Sequence, residues 1–321
     1  MARLIEPLAL LASGQPLGRV ESEELLVAAA IRHGMQGLLW RQVDEGNVSL
    51  SRNTVRQVAA EFMRVRHRNL TIWETLGRVS SMLTRRKIRF LVLKGIANEA
   101  RWYEQVGDRP TSDLDIWVSP EDKWRFGEIV RGVSPGHPLG HSVQGLVDAG
   151  HLQSVDLVSE SGILIDLHAD PFNFGLRART APTMWATQEE VTSPLGGTVP
   201  VLSATSSLVH SLVHLNQDGL GSLVGFADVC RIIKDERIDP DAAISMLQEE
   251  GLLAHGMNTL NAVADVLNIR TGFDPSSYET RWWRAVWPRR SFFHRGKKSR
   301  RRVSAYAMRI RSRRRQGEAL L

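Results

Sequence analysis

Apolar residues recur at three- and four-residue spacing over residues 23–32 and 55–83, which predicts two amphipathic helices. Ser22 is placed to cap the first, with Glu23 and Glu24 in its opening turn. Phe62, Val65, Leu70, Trp73, Leu76 and Val79 offer the second an apolar face, and Arg64, Arg66 and Arg68 read as its solvated side. Residues 1–14 read as the start of an amphipathic helix rather than a leader, because Glu6 and Pro7 interrupt a short apolar run. The pattern then changes. Phe90-Leu91-Val92-Leu93 is an apolar run of buried-strand length, Lys94-Gly95 ends it, and residues 96–103 suit a helix. A polar turn with Gly107 and Pro110 leads to alternation over residues 113–118, a second strand.

Ser119-Pro120-Glu121-Asp122 is a helix start whose helix is expected to reach about residue 131. Residues 132–150, rich in Gly, Pro and His, read as a loop. Residues 152–158 and 163–168 alternate around a Ser-Glu-Ser-Gly turn and predict a hairpin. Residues 169–200 look irregular, and helices are expected at 204–213, 223–233 and from Asp239 to about residue 250.

The chain has 321 residues and 42% apolar content, enough for one large domain or two modest ones. Its one cysteine, Cys230, excludes a disulfide framework and fits a reducing, cytoplasmic setting; its apolar neighbourhood makes it a core residue. No transmembrane segment is expected, since no stretch approaches the ~20 apolar residues that a bilayer requires. The net charge of +6 is a sum of unlike parts. From Thr280 onward 15 Lys/Arg face one acid, giving +14; the rest carries 26 against 34, giving −8. With Trp282, Trp283, Trp287, Phe292 and Phe293 among the arginines, this basic tail suits an anionic membrane surface or nucleic acid, or else is a solvated extension.

Asp113 and Asp115 lie two apart on a strand and therefore share a face. Two neighbouring carboxylates repel unless a positive group sits between them, and a hard cation such as Mg²⁺ suits that place. Asp166 follows on a later strand with His168 on its face, a histidine read equally as a structural partner or a substrate contact. Asp156 is a rival for the third carboxylate. His137, His141 and His151 lack metal-ligand spacing. His210 and His214 are one helical turn apart, but no Glu follows His210, so they read as core or cap histidines.

A strand, a Lys-Gly turn, a helix and then Asp-x-Asp on a strand resembles the nucleotidyltransferase superfamily of DNA polymerase β type. The chain is similar to a bacterial family of uncharacterised nucleotidyltransferases through Leu93-Lys94-Gly95, Arg109, Asp113-Leu114-Asp115 and Ile165-Asp166-Leu167-His168, over roughly residues 25–250. The resemblance implies an α+β fold: a nucleotidyltransferase-type mixed β-sheet with helices over residues 86–200. Helical regions at 1–85 and 201–272 flank it, the first as a buttress and the second holding the acceptor groove, and 273–321 form the tail. It also implies a metal-dependent enzyme that moves a nucleoside monophosphate, AMP by expectation, from a nucleoside triphosphate to a small-molecule, peptide or protein acceptor, in natural-product settings among others. Asp113, Asp115 and Asp166 would be the catalytic residues and hold Mg²⁺ or Mn²⁺. Lys94, Gly95 and Arg109 would bind the triphosphate, with Lys94 replacing the serine of better-known relatives, and His168 would touch substrate. The bland alternative pairs Lys94 and Arg109 with Glu99 or Glu104. A module of the same fold without catalysis is the alternative function; the intact carboxylates argue against it.

Overall fold

The computed structural model describes residues 2–140, 142–172 and 178–273. Contacts divide the chain into two compact units, one from residues 65–207 and one from residues 1–64 together with 208 onward. The first division falls inside a helix, α4 (Arg52–Arg85), and the second inside α9 (Ala204–Gln217).

The unit of residues 65–207 is built on a six-stranded mixed sheet in the order β3-β4-β2-β1-β6-β5. Its strands are β1 (Phe90–Leu93), β2 (Asp113–Val118), β3 (Ser154–Val158), β4 (Leu164–His168), β5 (Glu189–Thr192) and β6 (Thr198–Val201). β2 lies antiparallel to β1 and parallel to β4, while β3 closes the expected hairpin on β4. One face of the sheet is a continuous apolar layer. Leu114 and Ile116 of β2, with Ile165 and Leu167 of β4, are fully buried in it. The C-terminal half of α4 covers that layer with Ile72, Trp73, Leu76, Val79 and Leu83, spaced as one stripe of a helix.

Short helices complete this unit: α5 (Gly95–Trp102), a 3₁₀ turn (Pro120–Arg125), α6 (Phe126–Val133), α7 (Val143–Asp148) and α8 (Ala181–Ala186). The Ser119 hydroxyl accepts from the Glu121 amide, as the start signal predicts, but the first turn is 3₁₀ before the helix proper. Two expectations are corrected. The stretch 132–150 contains α7, whose Val143 and Val147 join the core. The stretch 169–200 contains α8 and the β5–β6 hairpin, and β6 adds to the sheet parallel to β1. These elements are four to six residues long, too short for periodicity to show against their prolines and glycines.

The other unit is helical: α1 (Ala2–Ser13), α2 (Glu23–His33), α3 (Gln36–Asp44), α10 (Leu223–Ile232), α11 (Pro240–Glu249) and α12 (Leu253–Leu267), with the adjoining parts of α4 and α9. α1 packs on both α10 and α12. Arg231 donates to the Ala12 carbonyl at 2.9 Å and Lys234 to that of Ser13 at 3.2 Å, so two cations satisfy the C-terminal end of α1. Cys230 is fully buried in α10, as expected of a core residue. The His210 and His214 rings stack 6.3 Å apart, and His214 faces Asp218 at 3.4 Å. His141 and the basic tail lie outside the described residues. No helix among the described residues is long and apolar enough to cross a membrane.

Candidate active site

β1 ends at Leu93 and the chain turns at once into α5. Lys94 takes φ 43° and ψ −145°, and Gly95 takes φ 37°. For lysine this backbone is strained, at a cost on the order of 1–3 kcal/mol, and such residues persist where their surroundings enforce them. Gly95 is also a matter of space. A Cβ there would lie 2.9 Å from the Thr111 side-chain carbon, so the turn and the loop before β2 touch only because residue 95 has no side chain.

The strand register assembles the acids. Leu93, Asp115 and Asp166 are direct neighbours across β1, β2 and β4, and Asp156 of β3 is opposite Asp166. Asp113 shares the face of Asp115, and His168 that of Asp166, on the side of the sheet away from the apolar layer. Trp117 is the cross-strand neighbour of His168, and its ring meets Trp185 of α8 edge-on at 5.2 Å, forming an apolar wall beside the acids.

Asp115 is 4% exposed at its side chain, yet its oxygen Oδ1 has two cationic partners: Lys94 Nζ at 2.8 Å and His168 Nε2 at 3.1 Å. The same Nε2 lies 3.2 Å from Asp166 Oδ2. Burial alone would push the Asp115 carboxyl up, but the Lys94 charge and the His168 hydrogen bond hold it well below the usual range. Burial likewise disfavours charge on His168; its bonds to Asp115 and Asp166 prevail and raise it to about 9, so it is an imidazolium at neutral pH. Lys94 is also raised, because attraction to Asp115 outweighs its burial. Asp113 moves the other way from Asp115: burial and then repulsion by Asp115 raise it, with Lys94 opposing.

Ionised, the three carboxylates face two cations, which leaves the site negative. Asp115, Asp166 and His168 each offer a ligand atom, all within 4.8 Å of one another. Asp166 Oδ1 is buried and has no hydrogen-bond partner among the described residues. A buried acceptor left in that state is costly, and a cation would satisfy it. Carboxylate oxygens suit a divalent ion, and a His168 nitrogen could join them only with its proton displaced, so these residues fit one.

Of the residues expected from sequence, Lys94, Gly95, Asp113, Asp115, Asp166 and His168 thus gather around one sheet face. Arg109 is 9% exposed and turned into its own loop, where it donates to Thr111 Oγ1 at 3.1 Å and to the Pro110 carbonyl at 3.3 Å. Arg68 lies on the exposed face, as read from the sequence, and also donates to the carbonyls of Thr111 and Ser112. One further assignment changes. The buried position in the α4 stripe is Asn69, not Leu70, and Asn69 and Glu99 bond to the loop before β2. Sequence reasoning missed Asn69 and named Glu99 only as an ion-pair partner; the available signal for Asn69 was a polar residue between Val65 and Ile72 in an otherwise apolar helical stripe.

A comparison with curated proteins returns no match. The family described as uncharacterised nucleotidyltransferase matches residues 20–268, a span that holds the whole sheet, the Lys94–Gly95 turn and every carboxylate of the site. The chain therefore belongs to that uncharacterised nucleotidyltransferase family.

Proposed function

We propose that the protein transfers a nucleoside monophosphate, AMP by expectation, from a nucleoside triphosphate to a hydroxyl or phosphate of a small molecule, peptide or protein. Asp113, Asp115 and Asp166 are its catalytic carboxylates and hold Mg²⁺ or Mn²⁺. The observation that supports this most is the alignment of Asp115 with Asp166 on neighbouring parallel strands, beside an orphaned Asp166 oxygen.

In the reaction the acceptor oxygen attacks the α-phosphorus in line, the bond to the β-phosphate oxygen breaks, and pyrophosphate leaves. Such chemistry asks the protein for positioning and charge neutralisation. The divalent ion, when bound, supplies neutralisation at the phosphates. Asp166 orients the acceptor hydroxyl and takes its proton. His168 holds Asp115 and Asp166 in register through Nε2, one hydrogen bond from the acceptor. Lys94 exchanges its bond to Asp115 for the β- or γ-phosphate. Gly95 lets backbone amides at the start of α5 approach the same phosphates. Arg109 supplies a second positive charge on this side.

A pyrophosphate-release screen with each nucleoside triphosphate against hydroxyl and phosphate acceptors tests the reading. Release that needs both a triphosphate and Mg²⁺ or Mn²⁺, and that Asp166→Asn removes, is the expected result. Release unchanged in Asp166→Asn would overturn the assignment.

A further inference from the structure

The loop between α5 and β2, residues 103–112, is unusually buried for a connection. Asp108 is 1% exposed, Thr111 5% and Arg109 9%. A buried loop must find partners for its backbone, because no water serves it. Here two side chains supply them. Glu99 Oε1 accepts from the Gly107 amide at 2.8 Å, from the Arg109 amide at 3.3 Å and from Asn69 Nδ2 at 2.8 Å. Asn69 Nδ2 also donates to the Arg109 carbonyl at 2.8 Å, and Asn69 Oδ1 accepts from the Thr111 amide at 3.3 Å. Asn69 is fully buried and Glu99 2% exposed.

Neither residue is what packing alone would select. Position 69 lies in the apolar stripe of α4, where a leucine would bury more apolar surface. Glu99 is a carboxylate in the interior, a place that disfavours charge. What the pair gains is placement: it fixes three amides and one carbonyl of the loop relative to both α4 and α5. The loop in turn closes on the phosphate side of the site, since the Thr111 side chain occupies the space that a Cβ of Gly95 would need.

We propose that Asn69 and Glu99 are positioning residues: they clamp the 107–112 loop against the Gly95 turn and thereby set the affinity for the triphosphate. This rests on the nucleotidyltransferase reading above. Glu99 Oε2 has no hydrogen-bond partner among the described residues, and burial pushes the carboxyl up to about 7 against the bonds from Gly107, Asn69 and Arg109. A glutamine therefore keeps the working oxygen and sheds only the charge.

The test uses the full chain as wild type, Asn69→Leu, Glu99→Ala and Glu99→Gln. Hydrogen exchange is followed over residues 103–112. Calorimetry gives the affinity for a non-hydrolysable ATP analogue with Mg²⁺ and, separately, for Mg²⁺ alone. Asn69→Leu and Glu99→Ala should speed exchange in the loop and leave β1 and β4 protected. They should weaken analogue binding by roughly ten- to a hundredfold, the scale of one lost hydrogen bond to a charged group, and leave Mg²⁺ affinity unchanged. Glu99→Gln should restore both. If Glu99→Ala does not fold, Asn69→Leu and Glu99→Gln carry the comparison. Loop exchange and analogue affinity both unchanged in Asn69→Leu would overturn the inference, as would an equal loss of Mg²⁺ affinity. A wild-type chain that binds no triphosphate would overturn the transferase reading and the affinity half of this inference. The exchange arm would still decide the clamp, in favour if Asn69→Leu loosens the loop and against if it does not.

Discussion

Asp113 and Asp115 are two residues apart in one strand, and the structure gives them opposite electrostatics. Asp115 has Lys94 and His168 on one oxygen, whereas Asp113 feels burial and the repulsion of Asp115. Asparagine at both positions removes a proposed metal ligand, yet the effects on stability should differ. Asp115→Asn leaves two buried cations without their common anion, and breaking a buried pair costs on the order of 3–5 kcal/mol. Asp113→Asn relieves repulsion. Metal-free thermal melts should therefore show Asp113→Asn unchanged or higher in Tm and Asp115→Asn several degrees lower, with transfer lost in both. Equal Tm values would show that Lys94 and His168 do not depend on Asp115. Glu99 gives the pH signature of the clamp. Its folded carboxyl is raised from 4.5 to about 7 by burial, with Arg109 the charge that opposes it. The protonated folded form is favoured, so this stability is full below about 4.5 and is lost as pH rises through about 7. Wild-type Tm should fall from pH 5 to pH 8 more than that of Glu99→Gln. Parallel curves would return Glu99 to an ordinary pKa.

Among the elements, the turn from β1 into α5 carries the sharpest expectation. Lys94 is bonded to Asp115 while its proposed role is on phosphate, so the two tasks compete for one ammonium. Lys94→Met should bind Mg²⁺ more tightly in the absence of nucleotide, because an internal cation is gone. It should bind triphosphate more weakly, because a point charge on phosphate is gone. Calorimetry with each ligand alone separates the signs, and changes of the same sign in both would mean that Lys94 serves only to hold Asp115. The elements that form this turn were legible in sequence because each has a strong local signal: an apolar run at 90–93, alternation at 113–118, and a hairpin around Gly162. The β5–β6 hairpin was not, since strands of four residues with Pro200 inside and Gly196-Gly197 between them resemble loop, and their place beside β1 is a tertiary fact. The carboxylates were legible by spacing. The partners that decide their charge follow from strand register, which no local pattern encodes: Lys94 reaches Asp115 through the pairing of β1 with β2, and His168 sits between two acids through the pairing of β2 with β4.

On the scale of the whole molecule, the charge split and the end of the family match fall close together in the chain. The helical unit draws on both ends of the described chain, with α1 packed against α10 and α12. The family match ends at residue 268, one residue past the end of α12. The charge changes sign just beyond, from −8 before Thr280 to +14 after it. A segment with Arg300-Arg301-Arg302 and Arg313-Arg314-Arg315 repels itself without an anionic partner, and the proposed transfer needs none of its residues. A chain ending at Asp274 should therefore keep the wild-type Tm and the wild-type rate of transfer to a small acceptor. What it should lose is binding to an outside polyanion: the full chain should bind anionic vesicles or nucleic acid with an affinity that falls steeply with salt, and the shortened chain should not. A shortened chain that fails to fold would place Trp282, Trp283 and Trp287 in the core and move the boundary beyond them.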